Sequence, residues 1–394
     1  MSHQRRIGIL TGGGDVPGLN TVIKSVTFRA TELGYEVLGI RRGWEGLTHI
    51  RPGEQQPRPY VVPLDRIVTR AIDRTGGTIL HTSRTNPARM RRDGLPPGLP
   101  EERASAMATG EDDFDLTPLV LEHLAALEIG CLVAIGGDDT LSFAARLHTE
   151  GFPVLAIPKT MDNDVPGTEY CIGFSTAVTR AKELINRQRT TLGSHERIGI
   201  FRIFGRDAGF TALYTAFVTS ARCLIPEATF ELDRLAELLV EDRERNPSAY
   251  AFVVAAEGAT WAGGALEELG PADAFGHRHK ADVAQVLAAE LRERTGIETV
   301  ASELTYDLRS GEPDYLDQLV AITFANVAMD QLRDGVTGKM MAVREGRYAV
   351  SPLPGPEEHA RRVDVPTMYN EERLRPRYDG LLGRPLLLGV PVSG

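Results

Sequence analysis

Cysteine is scarce in this sequence: three in 394 residues, Cys131, Cys171 and Cys223, with no Cys-x-x-Cys pair. That set excludes a disulfide-stapled secreted domain and fits a chain kept reduced in the cytoplasm. Long apolar runs are missing as well. None approaches the roughly 18 residues of a membrane-spanning helix. The polar start, Met1 to Arg6, runs into Ile7-Gly8-Ile9-Leu10 without the apolar core of a signal peptide. A cytoplasmic protein without a membrane partner is the expectation. Positive charge is in deficit: 44 Lys and Arg face 54 Asp and Glu, for a net charge of −10. Binding DNA or RNA takes a basic footprint that neutralises phosphates, so no nucleic-acid partner is expected. No repeat recurs at 20–50 residues, which excludes a solenoid.

What remains is ordinary globular composition, 42% apolar and 25% charged. Short apolar runs over residues 7–11, 36–40, 131–135, 154–157, 198–202, 250–255 and 299–304 read as strands. Helical patterns lie between and after them, over 117–127, 140–148, 175–191, 207–219, 232–243, 280–294 and 315–333. This alternation predicts an α/β fold with mostly parallel sheets flanked by helices, and ligands at the carboxyl ends of the strands. Residues 88–111 are rich in Arg, Pro and Gly, have no apolar period, and read as a mobile surface insertion. Residues 346–394 are Pro-rich with short apolar pieces such as 386–388, and read as an irregular extension wrapping the body.

Four segments carry chemistry. Gly12-Gly13-Gly14-Asp15-Val16-Pro17-Gly18-Leu19-Asn20 follows the first strand. Its glycines let backbone N–H groups approach an anion, and Pro17 suits the first turn of the next helix, whose N-terminus adds positive charge. A tight turn would explain the glycines but not the adjoining Asp15, Pro17, Gly18 and Asn20. The spacing does not match the Gly-x-Gly-x-x-Gly of a dinucleotide-binding dehydrogenase. Ile135-Gly136-Gly137-Asp138-Asp139-Thr140 sets two carboxylates at a helix start, where hard oxygens suit Mg²⁺ bridged to phosphates. Capping the helix would account for one of those acids. Pro158-Lys159-Thr160-Met161-Asp162-Asn163-Asp164 offers a carboxylate to take a hydroxyl proton and a Lys to balance phosphate charge. A polar loop of Asx turns is the plainer reading. Finally, residues 180–206 hold seven cations against two acids in an acidic chain, which suggests an anionic ligand; Arg206 sits just past a strand and at a helix start there.

Together these segments resemble the phosphofructokinase family. The matching pieces also include Ile172-Gly173-Phe174, Ser194-His195-Glu196-Arg197, Phe204-Gly205-Arg206 and Glu257-Gly258, in family order over roughly residues 5–340. The resemblance implies a two-lobed phosphofructokinase-like fold with the active site between the lobes: residues 1–160 on the phosphoryl-donor and Mg²⁺ side, 161–345 on the sugar-phosphate side. It implies phosphoryl transfer to the 1-hydroxyl of fructose 6-phosphate. By motif, Asp162 is the base, Thr160 and Met161 line the sugar, and Asp138 binds Mg²⁺. Gly13 gives a backbone contact to the phosphoryl donor, and Gly137 and Arg84 also fall on the donor side. Phe204, Gly205, Arg206 and Glu257 hold the sugar phosphate, Tyr306 to Arg309 close over the 6-phosphate, and Arg197 reaches a neighbouring subunit, as in a homodimer or homotetramer. Val300 stands where many members have an Arg, and Tyr306-Asp307-Leu308-Arg309 replaces a more usual His-x-Gln-Arg, so sedoheptulose 7-phosphate is a further acceptor to consider.

ATP-using members resemble Gly-Gly-Asp-Gly and Pro-Gly-Thr in the two loops where this chain has Asp139 and Lys159. That pair resembles the pyrophosphate-dependent branch. A carboxylate 4 Å from a nucleotide's α-phosphate repels it by about 4 kcal/mol at an effective dielectric near 20, and by about 1 in water. Lys159 adds a cation for a small phosphate leaving group. An ATP-dependent 6-phosphofructokinase is the alternative.

Overall fold

The computed structural model describes residues 6–51, 53, 59–263, 268–269, 279–280 and 283–384. Residues 1–5 and the apolar piece at 386–388 lie outside them.

The first sheet is built from β1 (Arg6–Thr11), β2 (Glu36–Ile40), β3 (Val61–Leu64), β4 (Cys131–Gly136), β5 (Val154–Pro158), β10 (Lys339–Arg344) and β11 (Arg347–Pro352), in the order β11-β10-β5-β4-β1-β2-β3. Its five inner strands run parallel, and β3 and β11 pair antiparallel at the edges. The second sheet joins β6 (Ile198–Ile203), β7 (Arg222–Leu224), β8 (Ala251–Ala256) and β9 (Thr299–Glu303), all parallel, in the order β9-β6-β8-β7. Strands β4 and β8 are buried along their whole length because helices cover both faces. Parallel sheets of this kind read as unbroken apolar runs rather than as alternation.

Strand order reverses beside β1, with β2 on one side and β4 on the other, and beside β6, with β9 and β8. Such switch points open a crevice at the carboxyl ends of the strands. Helices α1 (Leu19–Glu32) and α2 (Asp138–Thr149) start at the first crevice. Helix α3 (Phe174–Ser194) crosses to the second sheet, α4 (Phe210–Thr219) starts at the second crevice, and Leu232–Arg245 and Val283–Thr295 complete that layer. Tyr315–Arg333 (α5) runs back along α1.

Asp317 of α5 ties the lobes. Its buried carboxylate accepts from the Tyr170 hydroxyl (2.6 Å), Gly173 N (2.8 Å), and the Thr176 amide (2.8 Å) and hydroxyl (2.5 Å) at the start of α3. Asp317→Ala leaves those buried donors without an acceptor and should lower stability by about 3 kcal/mol or more, read as a drop in Tm.

Several expectations change. Residues 88–111 do pack: a two-strand ladder, Met90–Arg91 with Asp113–Phe114, and a short helix, Glu101–Ala106, enclose Met90, Ala104, Phe114, Leu116 and Leu119. Turns and short pieces supply this small core, so no helical or strand period marks it in the sequence. Pro17 is not in the first turn of α1, which starts at Leu19 behind Gly18. The expected boundary at 345 falls inside the β10–β11 hairpin, whose turn residues Glu345 (φ 51°) and Gly346 (φ 72°) both take positive φ. A Glu tolerates that conformation here because the buried Glu169 carboxylate accepts both turn amides, at 2.6 and 3.0 Å. The helix expected from residue 280 is Val283–Thr295; Lys280 pairs with Glu268 in a short antiparallel ladder.

Candidate active site

The two crevices face each other across a cleft of about 450 Å³. Its first wall carries Gly13, Gly14, Asp15, Arg84, Gly137, Asp138, Asp139, Lys159, Thr160, Met161, Asp162 and Asp164. Its second carries Arg202, Phe204, Arg206, Asp207, Glu257, Glu303, Tyr306 and Arg309.

Thr140 joins the two glycine loops. A Cβ on Gly136 would lie 2.2 Å from Thr140 Cβ, and one on Gly12 2.6 Å from its Oγ1, so only glycine lets β1, β4 and α2 close up. The Gly13 N–H is not aimed at the cleft: it donates to Ser83 O (2.9 Å), and Thr82 Oγ1 donates to Gly13 O (2.6 Å). What Gly13 presents is a Cα without a side chain at φ 77°. A Cβ there would stand 3.0 Å from Lys159 Nζ. Lys159 is buried (4% exposed). Burial, with Arg309 next, pushes its ammonium down to about 8, while Asp138 and Asp15 pull the other way. Asp138 and Asp139 occupy the first turn of α2 behind the N-cap Gly137.

The following loop is crowded with acid. Asp162 is pushed well above the usual carboxylate range by burial, then by Asp164 and Glu257, with Arg206 opposing. Asp164 is pushed up to about 7 by burial and by Asp138. Asn163 sits between them at φ 55°, in the left-handed region that Asn enters more readily than most residues.

On the second wall, the Glu257 carboxylate accepts from Arg202 Nη2 (3.0 Å) and stands 3.7 Å from Arg206 Nε; Arg202 Nη1 reaches Glu303 at 3.0 Å. Arg202 and Glu303 are register partners on β6 and β9, so the pair is set by the sheet. Tyr306 stands at the mouth, 74% exposed. Arg309 crosses the cleft to the first wall: its Nη2 lies 2.7 Å from Asp15 Oδ1 and its Nε donates to Asp15 O at 3.1 Å.

Of the expected residues, Gly205 does not line this cleft, nor does Arg197, whose expected place is a neighbouring subunit. Arg197 lies at the opposite end of β6, paired with Glu298 at 2.8 Å. Gly205 (φ 127°) shapes the loop, where a Cβ would stand 2.7 Å from Ala208 O. Conversely, Asp15, Asp164, Arg202, Asp207 and Glu303 line it without having been assigned there. Asp15, Asp164 and Arg202 carried a signal, the first in the glycine loop, the second in the acidic motif and the third in the cationic stretch 180–206.

The family model of phosphofructokinase matches residues 6–332. The chain belongs to the phosphofructokinase family, whose curated relatives are named as phosphotransferases and kinases. A pyrophosphate–fructose 6-phosphate 1-phosphotransferase of Streptomyces coelicolor is 37% identical, covering 93% of this chain and 98% of that one. An ATP-dependent 6-phosphofructokinase 3 of the same organism is also 37% identical, over 86% and 91%. In fold, the chain matches a pyrophosphate-dependent phosphofructokinase from Marinobacter aquaeolei at a TM-score of 0.72 and 17% identity, over 95% of this chain and 89% of that one. The relatives thus carry both donor names at equal identity.

A phosphofructokinase cleft is expected to hold Mg²⁺. Among the described residues no three potential ligands form a metal cluster. Asp138 nevertheless raises the proton affinity of Asp164, and Asp164 that of Asp162, so Asp138 and Asp164 offer neighbouring carboxylates. That donor set fits Mg²⁺, which is commonly held by one or two carboxylates together with substrate phosphates. Among the described residues no helix is long and apolar enough to cross a membrane, and all three cysteines are free and buried.

Proposed function

We propose that this phosphofructokinase transfers a phosphoryl group from inorganic pyrophosphate to the 1-hydroxyl of fructose 6-phosphate. The observation that carries the reading is the donor wall, where a buried Lys159 ammonium lies against Gly13 and Asp139 follows Asp138. A bare diphosphate meets a cation there. A nucleotide's α-phosphate and ribose would meet added bulk and a carboxylate.

Asp162 is the base. Its raised proton affinity suits a group that must take the 1-hydroxyl proton as the oxygen bonds to phosphorus. The phosphorus–oxygen bond to the leaving phosphate breaks, and its electron pair stays on orthophosphate beside Lys159 and Arg84. Mg²⁺, held by Asp138, would neutralise charge on the phosphoryl oxygens when bound. Thr160 and Met161 face the sugar, and Arg206 with Glu257 receives it from the second wall. Arg197 points away from its own cleft, which supports a homo-oligomer in which it serves a neighbour. The chemistry exchanges the phosphoanhydride bond of pyrophosphate for a sugar phosphoester whose hydrolysis is only somewhat less favourable, so the reaction is proposed to be reversible, and the cytoplasm is its proposed compartment.

The deciding experiment is a coupled assay with fructose 6-phosphate and Mg²⁺, comparing pyrophosphate with ATP. Turnover with ATP and none with pyrophosphate would sink the reading. Sedoheptulose 7-phosphate belongs in the same assay, because Val300 removes a cation from the phosphate end. Lys159 sets a further expectation. As pH rises through about 8 its ammonium is lost, so kcat/KM for pyrophosphate should fall on that alkaline limb. Lys159→Arg, which stays charged, should move the limb to higher pH.

A further inference from the structure

Residue 361 lies beyond the stretch that matches the family. Its side chain nevertheless reaches the loop that carries Asp162. Three carbonyls of that loop, on Met161, Asn163 and Asp164, need donors. Thr211 Oγ1 serves Met161 O at 2.6 Å. Arg361 serves the other two: its Nε and Nη2 donate to Asn163 O at 3.3 and 2.7 Å, and its own amide donates to Asp164 O at 2.6 Å. Nη2 also donates to Glu169 O at 3.1 Å, the carbonyl that accepts Asn163 Nδ2, also at 3.1 Å. The guanidinium stacks over the Phe210 ring, 4.2 Å from its centroid, at the start of α4.

We propose that Arg361 is a positioning residue for phosphoryl transfer, holding the Asn163 peptide in its left-handed conformation and so fixing where the Asp162 carboxylate points. The inference rests on the reading of Asp162 as base. Residue 163 joins two half-buried acids that repel each other, and its φ of 55° is a conformation few L residues keep without support. The fork of Arg361 clamps it from behind through two carbonyls, while Phe210 fixes the plane of that fork. A Lys in the same place has one compact ammonium and no planar fork, so it can satisfy one carbonyl well and the geometry of both poorly.

The test compares Arg361→Ala and Arg361→Lys with the parent enzyme, measuring kcat and both KM values with the donor the parent uses. Displacing a base by about 1 Å costs about 100-fold in rate, so Arg361→Ala should lose kcat on that scale while KM for the sugar phosphate stays within about threefold. Added guanidinium ion should restore part of that turnover, and the Lys variant should fall between. A tail tie with no role in positioning gives a different pattern: kcat within about threefold of the parent, or activity lost only in proportion to folded protein and not recovered with guanidinium. Either result overturns the inference. If the Ala variant does not fold, the Lys variant decides, and parental kcat there overturns it. Asp162→Asn, run alongside, separates the two failures: full turnover in that variant removes the base itself, whereas its loss beside an unaffected Arg361→Ala removes only the clamp.

Discussion

Asp162→Asn should lower kcat by about 10²–10⁴-fold, the range expected when a positioned general base is removed, with KM for fructose 6-phosphate within about threefold of the parent. Asn keeps the size of the side chain and the amide contact from residue 162 to Thr160 Oγ1 at 3.1 Å. What it lacks is a site for the proton. The same change removes a half-buried negative charge that sits against Asp164 and Glu257, so Tm should hold or rise. A group that strains the fold and drives the reaction commonly shows this opposition. Steady-state kinetics with a thermal melt reads both effects, and turnover at the parental rate would take Asp162 out of the mechanism.

The second large effect concerns the donor. Asp139→Gly combined with Lys159→Gly should raise the ratio of kcat/KM for ATP to that for pyrophosphate. Relief of a repulsion of about 1–4 kcal/mol corresponds to about fivefold to several hundredfold. Two separate changes contribute. Loss of Asp139 removes a negative charge at the start of α2, and loss of Lys159 opens the space against Gly13 while taking a cation from pyrophosphate. An unchanged ratio would mean that the donor is chosen elsewhere in the cleft. The relatives sharpen this test, because enzymes named for either donor stand at 37% identity to this chain, and overall likeness cannot separate them.

The sequence made four of the first sheet's five inner strands legible because each is an apolar run ending in a glycine or a charged turn; β1, β2 and β4 fall within a residue of their expected bounds. The loops that line the cleft were legible for the same reason: residues with special backbone needs or buried charge stand out against such runs. Other parts carried no local mark. Strands β10 and β11 are joined by Glu345-Gly346, a weak turn signal that works only because Glu169, far away in the chain, accepts both amides. Arg361 looked like one more polar residue in a Pro-rich tail, and its burial is a tertiary event. Arg309 matched a sugar-phosphate motif, yet its guanidinium lies on Asp15 across the cleft, a contact between residues 294 positions apart. Gly13 showed why a glycine loop need not offer its amide to an anion, since its N–H is taken by Ser83.

The late return of β10 and β11 to the first sheet bears on how the chain is made. Synthesis from the N-terminus releases every strand of the second sheet by residue 303, while the first still lacks two. Until residue 344 emerges, β5 is an open edge whose backbone N–H and C=O groups can pair with any passing strand. The second wall of the cleft can therefore be built on the nascent chain before the first is closed, and a ribosome stalled near residue 335 would hold a species prone to aggregate through that one edge.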